Sequence, residues 1–333
     1  QVRRRGTGWT IGSCRVVPHA EPLVGSDQSS TLEQISRTLH RAWAPSGRWL
    51  TDRAACCLPA CLVQLRTIEI PDSSEADLDQ LAIAELRSDV GSAVASDWNV
   101  AWWTFGTNEP ANSPTASILA TTASVADCIA ASMQKRGLES EVLDGGPFAL
   151  ARAVSMDQQD PGGTVAAIDW GYESLTIACV REGQPGYTRI LHHCGTRHLI
   201  EAASVAIGLE ADESSRILQR YALVPGDTAR PTNDMEQHVS KICELVIHAC
   251  LDEIYTTLKY VQRQFPDQVP LQILLFGGGG AIRGMDDAVA CTTNIPTRTW
   301  RLRCPGLSPP PDDVSQPVMA SAIAVAALGE AIT

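Results

Sequence analysis

The order of two glycine-bearing turns constrains this chain more than any other feature. The stretch Ile168-Asp169-Trp170-Gly171-Tyr172-Glu173-Ser174 ends an apolar strand on an aspartate and turns on a glycine two positions later. Glycine permits positive φ, so main-chain N–H groups at such a turn can converge on an anion. The aspartate can hold a metal ion through water, and Ser174 adds a hydroxyl. Further along, Ile273-Leu274-Leu275-Phe276 runs into Gly277-Gly278-Gly279-Gly280 and then into a helical pattern. Residues without a Cβ let a flat or charged ligand approach the main chain, and a helix start adds donors. The second turn is not a P-loop, because no Gly-Lys-Ser/Thr follows. It is not a dinucleotide fingerprint either: the third glycine is misplaced (Gly278, Gly280, then Gly284) and the flanking βαβ unit is absent. Taken singly, the first turn also reads as an ordinary hairpin turn and the second as a run for close packing.

Periodicity supplies the frame around these turns. Residues 8–17 read as a strand or hairpin arm, and 32–43 as a helix. From 54 to 143 the pattern is β-β-α-β-β-α-β: strands at 54–61, 62–70, 98–105, 117–123 and 139–143, and helices at 75–89 and 124–136. This predicts a small α+β unit with its own sheet. A helix over 148–156 and a polar crossing at 157–163 follow. Three strands at 165–170, 175–180 and 187–191, joined by short turns, predict an antiparallel meander. Helices are predicted at 199–207, 212–221, 235–264 and 281–291, strands at 271–276 and 295–301, and a last helix at 318–331 after a Pro-rich loop. The fold class is therefore α/β.

Composition narrows the function. The net charge is −12, from 26 Lys and Arg against 38 Asp and Glu. A phosphate-binding surface for nucleic acid needs basic residues in excess. The short run Arg3-Arg4-Arg5 does not meet that need and reads as a solvated edge. No apolar run reaches the ~18 residues of a membrane span. The eleven cysteines are odd in number and scattered, several inside apolar segments, as expected of reduced core thiols. Cys56-Cys57-Leu58-Pro59-Ala60-Cys61 is the one dense group, and no second pair at metal-ligand spacing follows it.

A strand with Asp-x-Gly opening a meander, then strand–glycines–helix, then a closing helix resembles the second half of the actin-like superfamily. The chain more closely resembles the PilM family of type IV pilus assembly. The residues that carry this are Leu143-Asp144, Pro147-Phe148-Ala149-Leu150-Ala151-Arg152-Ala153, the stretch from Ala167 to Ser174, Tyr187-Thr188-Arg189, Cys194-Gly195, Leu251-Asp252-Glu253-Ile254, Leu274 to Ala281, and the small-residue helix at 320–328. The resemblance implies a two-lobed actin-like (ribonuclease H-like) fold. Its parts would be a first-lobe beginning at 1–53, an inserted α+β domain at 54–143 like that of the FtsA cell-division proteins, a first-lobe helix and crossing at 144–163, a second lobe at 164–304, and a linker and returning helix at 305–333.

The same resemblance implies ATP with Mg²⁺ between the lobes. Asp169, Gly171 and Ser174 match the second phosphate loop, with Asp169 holding Mg²⁺ through water. Gly277, Gly278 and Gly279 match the adenosine loop, and Glu253 would face the ribose or base. The family's first phosphate loop is expected to precede Gln1-Val2-Arg3, since Gly6 to Ile11 match the arm that follows it. Relatives often carry an acidic residue where Gly146 stands, so weak hydrolysis or none is expected. The implied role is a cytoplasmic scaffold, in a ring or other oligomer, that binds the N-terminal tail of an inner-membrane partner of PilN type. The groove for that tail would lie between the first lobe and the inserted domain, with strand 62–70 as a candidate wall. Other readings are a component of type II secretion such as GspL, a cell-division actin homologue, and a sugar or acyl kinase of the same superfamily.

Overall fold

The computed structural model describes residues 2–5, 8–11, 17, 19, 23, 28–42, 53–70, 75–90, 97–105, 115–157, 162–226, 229–302 and 316–328. The chain divides into two compact units. One comprises 1–149 with 304–308 and 321–333; the other comprises 150–303 with 309–320.

The first unit begins with strand β1 (Val2–Arg5) paired antiparallel to β2 (Gly8–Ile11). Helix α1 (Gln28–Ala42) follows, then β3 (Arg53–Leu58), β4 (Gln64–Glu69), α2 (Glu75–Val90), β5 (Trp98–Phe105), β6 (Thr115–Thr122), α3 (Ala123–Gln134) and β7 (Glu139–Gly145). The predicted order of elements between 54 and 143 is present, but the strands do not share one sheet. β4, β6 and β5 form an antiparallel three-stranded sheet, while β3 and β7 pair with each other in parallel. Period-2 alternation sorts the three-stranded sheet into two faces. Ile68, Val100, Trp102, Ile118 and Ala120 pack with Ala82 and Leu86 of α2. Leu119 and Ala101, paired across the ladder, occupy the other face. The β3–β7 pair is covered by α1 and α3, whose Leu32, Ile35, Val125 and Ile129 meet Leu58 and Leu143.

Helix α4 (Gly146–Ser155) crosses from the first unit into the second. There β8 (Val165–Trp170), β9 (Leu175–Arg181) and β10 (Gln184–Leu191) form the predicted antiparallel meander. Helices α5 (Arg197–Ile207), α6 (Ala211–Tyr221) and α7 (Asp234–Gln264) follow. Strand β11 (Gln272–Phe276) leads into the single helical turn α8 (Gly277–Gly280), then α9 (Met285–Thr293) and β12 (Thr297–Thr299). The last helix, α10, is Gln316–Ala326. The five strands lie in the order β10-β9-β8-β11-β12, with β8, β11 and β12 mutually parallel.

Parallel strands buried on both faces read as near-continuous apolar runs. Ala166, Ile168, Trp170, Ile273 and Leu275 turn toward α5, α7 and α9, and the whole set is buried. On the alternate side Phe276 stacks on Trp300 with ring centroids 5.6 Å apart, and the Trp300 indole donates to the Ala153 carbonyl at 2.8 Å. Arg298 pairs with the buried Asp157 beside them. At about 1.5 Å per residue, the 31 residues of α7 make a rod of roughly 46 Å. No helix among the described residues is long and apolar enough to cross a membrane.

Candidate functional site

Parallel strands end at the same edge of a sheet, so neighbours deliver their following loops side by side. β8 and β11 are such neighbours, with Asp169 opposite Phe276. The Asp169-Trp170-Gly171 turn and the glycine turn consequently meet. Gly277 has φ +75, and a Cβ there would strike both Asp169 Oδ1 and the Trp170 carbonyl oxygen. A Cβ on Gly279 would enter the Trp170 indole ring, whereas one on Gly278 would meet nothing within 4 Å. Packing alone therefore requires glycine at 277 and 279. Gly278 faces open space. The Trp170 indole N–H finds no acceptor among the described residues.

Asp169 sits on the strand face opposite Ile168 and Trp170. It keeps part of its surface open, but its carboxyl lies amid dense protein. Burial pushes that carboxyl from 3.8 up to about 6. Desolvation disfavours the charged form, and an adjacent cation would restore it.

The rest of the first turn is fastened by the protein itself. The Gly171 N–H donates to the Ser174 carbonyl at 2.9 Å. The Gly171 carbonyl accepts from the Thr196 N–H at 2.9 Å, and the Tyr172 carbonyl accepts from the Arg197 N–H at 3.0 Å. Arg197 also holds Glu173 at 3.3 Å. Gly195 lies so close beneath the turn that a Cβ would strike the Tyr172 carbonyl oxygen. Ser174 is buried. The structure thus brings Asp169, Gly171, Ser174, Gly277, Gly278 and Gly279 into one neighbourhood.

Glu253 occupies a different cluster. It forms ion pairs with Arg189 and His193, both at 3.5 Å. Arg189 also donates to Thr257 on the same helix at 2.8 Å. No hydrogen bond or ion pair among the described residues joins Glu253 to the two turns.

The carboxylate fastened to the segment just after the glycine turn is Glu236. It pairs with Arg283 at 2.7 Å and accepts from the Thr232 N–H at 2.7 Å and the Thr232 hydroxyl at 2.9 Å. The Thr232 N–H first, and then Arg283, hold its carboxyl below the usual range. The Arg283 carbonyl in turn accepts from Val224 N–H at 2.9 Å. Glu236 also lies three residues after Asn233, which caps α7 by accepting from the Glu236 N–H at 2.9 Å. That Asn-x-x-Glu spacing is a helix-start signature visible in the sequence.

The first unit holds a groove of about 470 Å³. Leu58 at the end of β3, residues 99–101 of β5, 119–121 of β6, Ala126, Asp127 and Ala130 of α3, and the end of β7 form its walls. Of strand 62–70, only Val63 lines it.

The sequence profile of the type IV pilus assembly protein PilM matches residues 1–302. The chain belongs to the PilM family. It also superposes on the PilM-PilN type IV pilus biogenesis complex with a TM-score of 0.70, at 17% identity, covering 99% of this chain and 94% of that one. The PilM architecture, an actin-like α/β fold, thus runs through nearly the whole chain, and its process is type IV pilus assembly. MreB 5 of Spiroplasma citri bound to AMPPNP matches at a TM-score of 0.48, with 11% identity over 64% of this chain and 66% of that one. The ethanolamine utilization protein EutJ from Carboxydothermus hydrogenoformans matches at 0.45, with 16% identity over 62% and 61%. Both fall below 0.5 and add nothing to the assignment of the fold. No curated protein matches the chain in sequence.

Proposed function

We propose that this PilM-family chain is a cytoplasmic, nucleotide-binding scaffold of the pilus assembly machine, and that it binds the N-terminal tail of an inner-membrane partner of PilN type. The observation that carries the reading is the groove of the first unit, about 470 Å³ and walled by β5, β6, α3 and β7. It suits an extended peptide, and a PilM relative of the same architecture is known in complex with PilN. The proposed division of the chain is a first-lobe beginning at 1–53, an inserted domain at 54–143, a return at 144–163, a second lobe at 164–304 and a closing segment at 305–333. Attachment to the membrane would run through the partner, and the scaffold would assemble as a ring or other oligomer.

ATP with Mg²⁺ is the proposed ligand of the two turns. Asp169, Gly171 and Ser174 would serve the phosphates and Gly277, Gly278 and Gly279 the adenosine, with Glu253 toward the ribose or base. The residues fit such a ligand in two respects. Asp169 is a carboxylate whose charge burial disfavours, so a divalent cation would relieve it. Gly278 leaves an open approach to the main chain that packing does not require. Bound Mg²⁺ would supply neutralisation of phosphate charge. The Gly171 N–H already donates to Ser174, which leaves the turn one donor poorer. Weak hydrolysis or none is expected, because Gly146 stands where an acidic residue would position the attacking water.

Two titrations test the proposal. A synthetic N-terminal peptide of a PilN-type protein should bind the full chain by fluorescence anisotropy, and ATP with Mg²⁺ should bind by calorimetry. Absence of peptide binding refutes the scaffold reading. Heat of ATP binding unchanged by Asp169→Asn refutes the assigned nucleotide site.

A further inference from the structure

The charged side chains lining the groove of the first unit are Asp127, Glu141 and Asp144, and no Lys or Arg lines it among the described residues. Glu141 is ion-paired with Arg53, so its charge is matched. Asp144 lies at the end of β7, where its Oδ1 accepts from the Gly145 N–H at 2.9 Å. Asp127 is exposed on α3, flanked along the groove by the small Ala126 and Ala130. It forms no hydrogen bond or ion pair among the described residues. Asp127 therefore brings to the groove a negative charge that no described residue of its walls neutralises. Interfaces are arranged so that potentials are complementary, which favours a partner of opposite sign.

Residues 99–101 of the outer strand β5 and 119–121 of the central strand β6 both line the groove. Val100 and Ala120 pack toward α2, so the groove runs over the opposite face of the sheet, the face of Ala101 and Leu119. Leu58, Leu119 and Leu143 give the remaining wall an apolar character.

We infer that the groove takes a peptide over this sheet face and selects a Lys or Arg side chain of that peptide through Asp127. The inference rests on the groove being the site of the partner's tail, and it names Asp127 as the residue that sets specificity there.

The test uses the full chain and a labelled N-terminal peptide of a PilN-type protein, read by anisotropy at low and at moderate salt. Asp127→Lys should weaken binding by more than about tenfold at low salt, and the loss should shrink as salt rises. Glu213→Lys, the same charge change at an exposed position on α6, serves as the control and should leave binding unaltered. Replacing the peptide's Lys or Arg by norleucine should abolish the sensitivity to Asp127→Lys. Exchanging it for Glu should restore binding to the Asp127→Lys chain. Acetylating the peptide's α-amino group should have no effect. Asp127 is exposed, so these variants keep the fold, which far-ultraviolet circular dichroism verifies. If the native peptide binds and Asp127→Lys behaves like Glu213→Lys, the inference is overturned while the groove reading stands. An effect of acetylation in place of the side-chain substitution overturns it too. If the native peptide does not bind at all, both fall together.

Discussion

Substitution of Gly277 by alanine tests whether the two turns meet as described. Gly277 has φ +75. An L-residue in that left-handed region costs roughly 1–2 kcal/mol. The added methyl would also overlap the Asp169 carboxylate and the Trp170 carbonyl. Neither can withdraw easily, because Asp169 is held opposite Phe276 in the β8–β11 ladder. Overpacking of this sort costs about 1–3 kcal/mol. The sum, about 3 kcal/mol, is more than a hundredfold in the folding equilibrium. For a unit of this size it corresponds to a fall in Tm of roughly 6–12 °C. Gly279→Ala meets the Trp170 ring without the φ penalty, so it should lose about half as much. Gly278→Ala meets nothing and should be neutral or stabilising by up to about 1 kcal/mol. Denaturant unfolding followed by tryptophan fluorescence measures all three. Equal stabilities for the 277 and 278 variants, within about 0.5 kcal/mol, would refute the packing of the two turns.

Three other outcomes are expected. Asp169 has a folded-state carboxyl raised to about 6, so the folded chain holds a proton there that the unfolded chain releases. Stability should thus decline as pH rises from about 4 to about 6, by about 3 kcal/mol at most, and Asp169→Asn should remove that slope and stabilise the chain at pH 7. Glu236 has a lowered carboxyl, so its contribution is present above the unfolded value and lost as pH falls through the folded one. Arg283→Ala should therefore destabilise at neutral pH, with the difference fading on acidification below about pH 4 in a stability–pH series. In the first unit, a Cβ on Gly145 would collide with the Leu119 side chain while one on Gly146 would meet open space. Gly145→Ala should cost about 1–3 kcal/mol, partly restored in a double-mutant cycle with Leu119→Ala, whereas Gly146→Ala should be neutral or stabilising.

Local chemistry made much of the second unit legible in the sequence. The meander was visible because Glu182 and Gly183, at φ 52 and 76, make a two-residue hairpin turn of the kind glycine marks. The third strand begins three residues earlier than its pattern suggests. Gln184-Pro185-Gly186 reads as loop by composition, but a register shift between Pro185 and Thr188 absorbs it within β10. The helix expected from 281 starts only at Met285, because Gly284 at φ +80 breaks the run and Val224 ties down Arg283. Non-local pairing was not legible. Nothing in the pattern of 54–143 reveals that β3 and β7 leave the other strands to pair with each other. That choice is made by Leu58 and Leu143 finding the α1–α3 layer. The carboxylates behave alike in this respect: both Glu236 and Glu253 sit on α7, and only tertiary contact shows that one reaches Arg283 and the other Arg189 and His193.

The glycine run had two readings in the sequence, close packing and ligand approach, and the structure assigns them to different residues. Gly277 and Gly279 are explained by Asp169 and Trp170, and Gly280 by Leu275, whose Cβ lies 3.0 Å from where its own would be. None of these three needs a ligand to account for its identity. Gly278 has no neighbour to exclude, and within a helical turn alanine would be the more stable choice. A residue that gives up stability at an open position beside a buried aspartate is where an approaching ligand would act. Gly278→Leu separates the two readings, because its Cβ meets nothing within 4 Å and the branched end would extend into that open approach. The expected result is unchanged denaturant stability with loss of ATP binding by calorimetry. Retained binding would leave Gly278 explained by neither packing nor a ligand, and Asp169 as the sole support for a nucleotide at these turns.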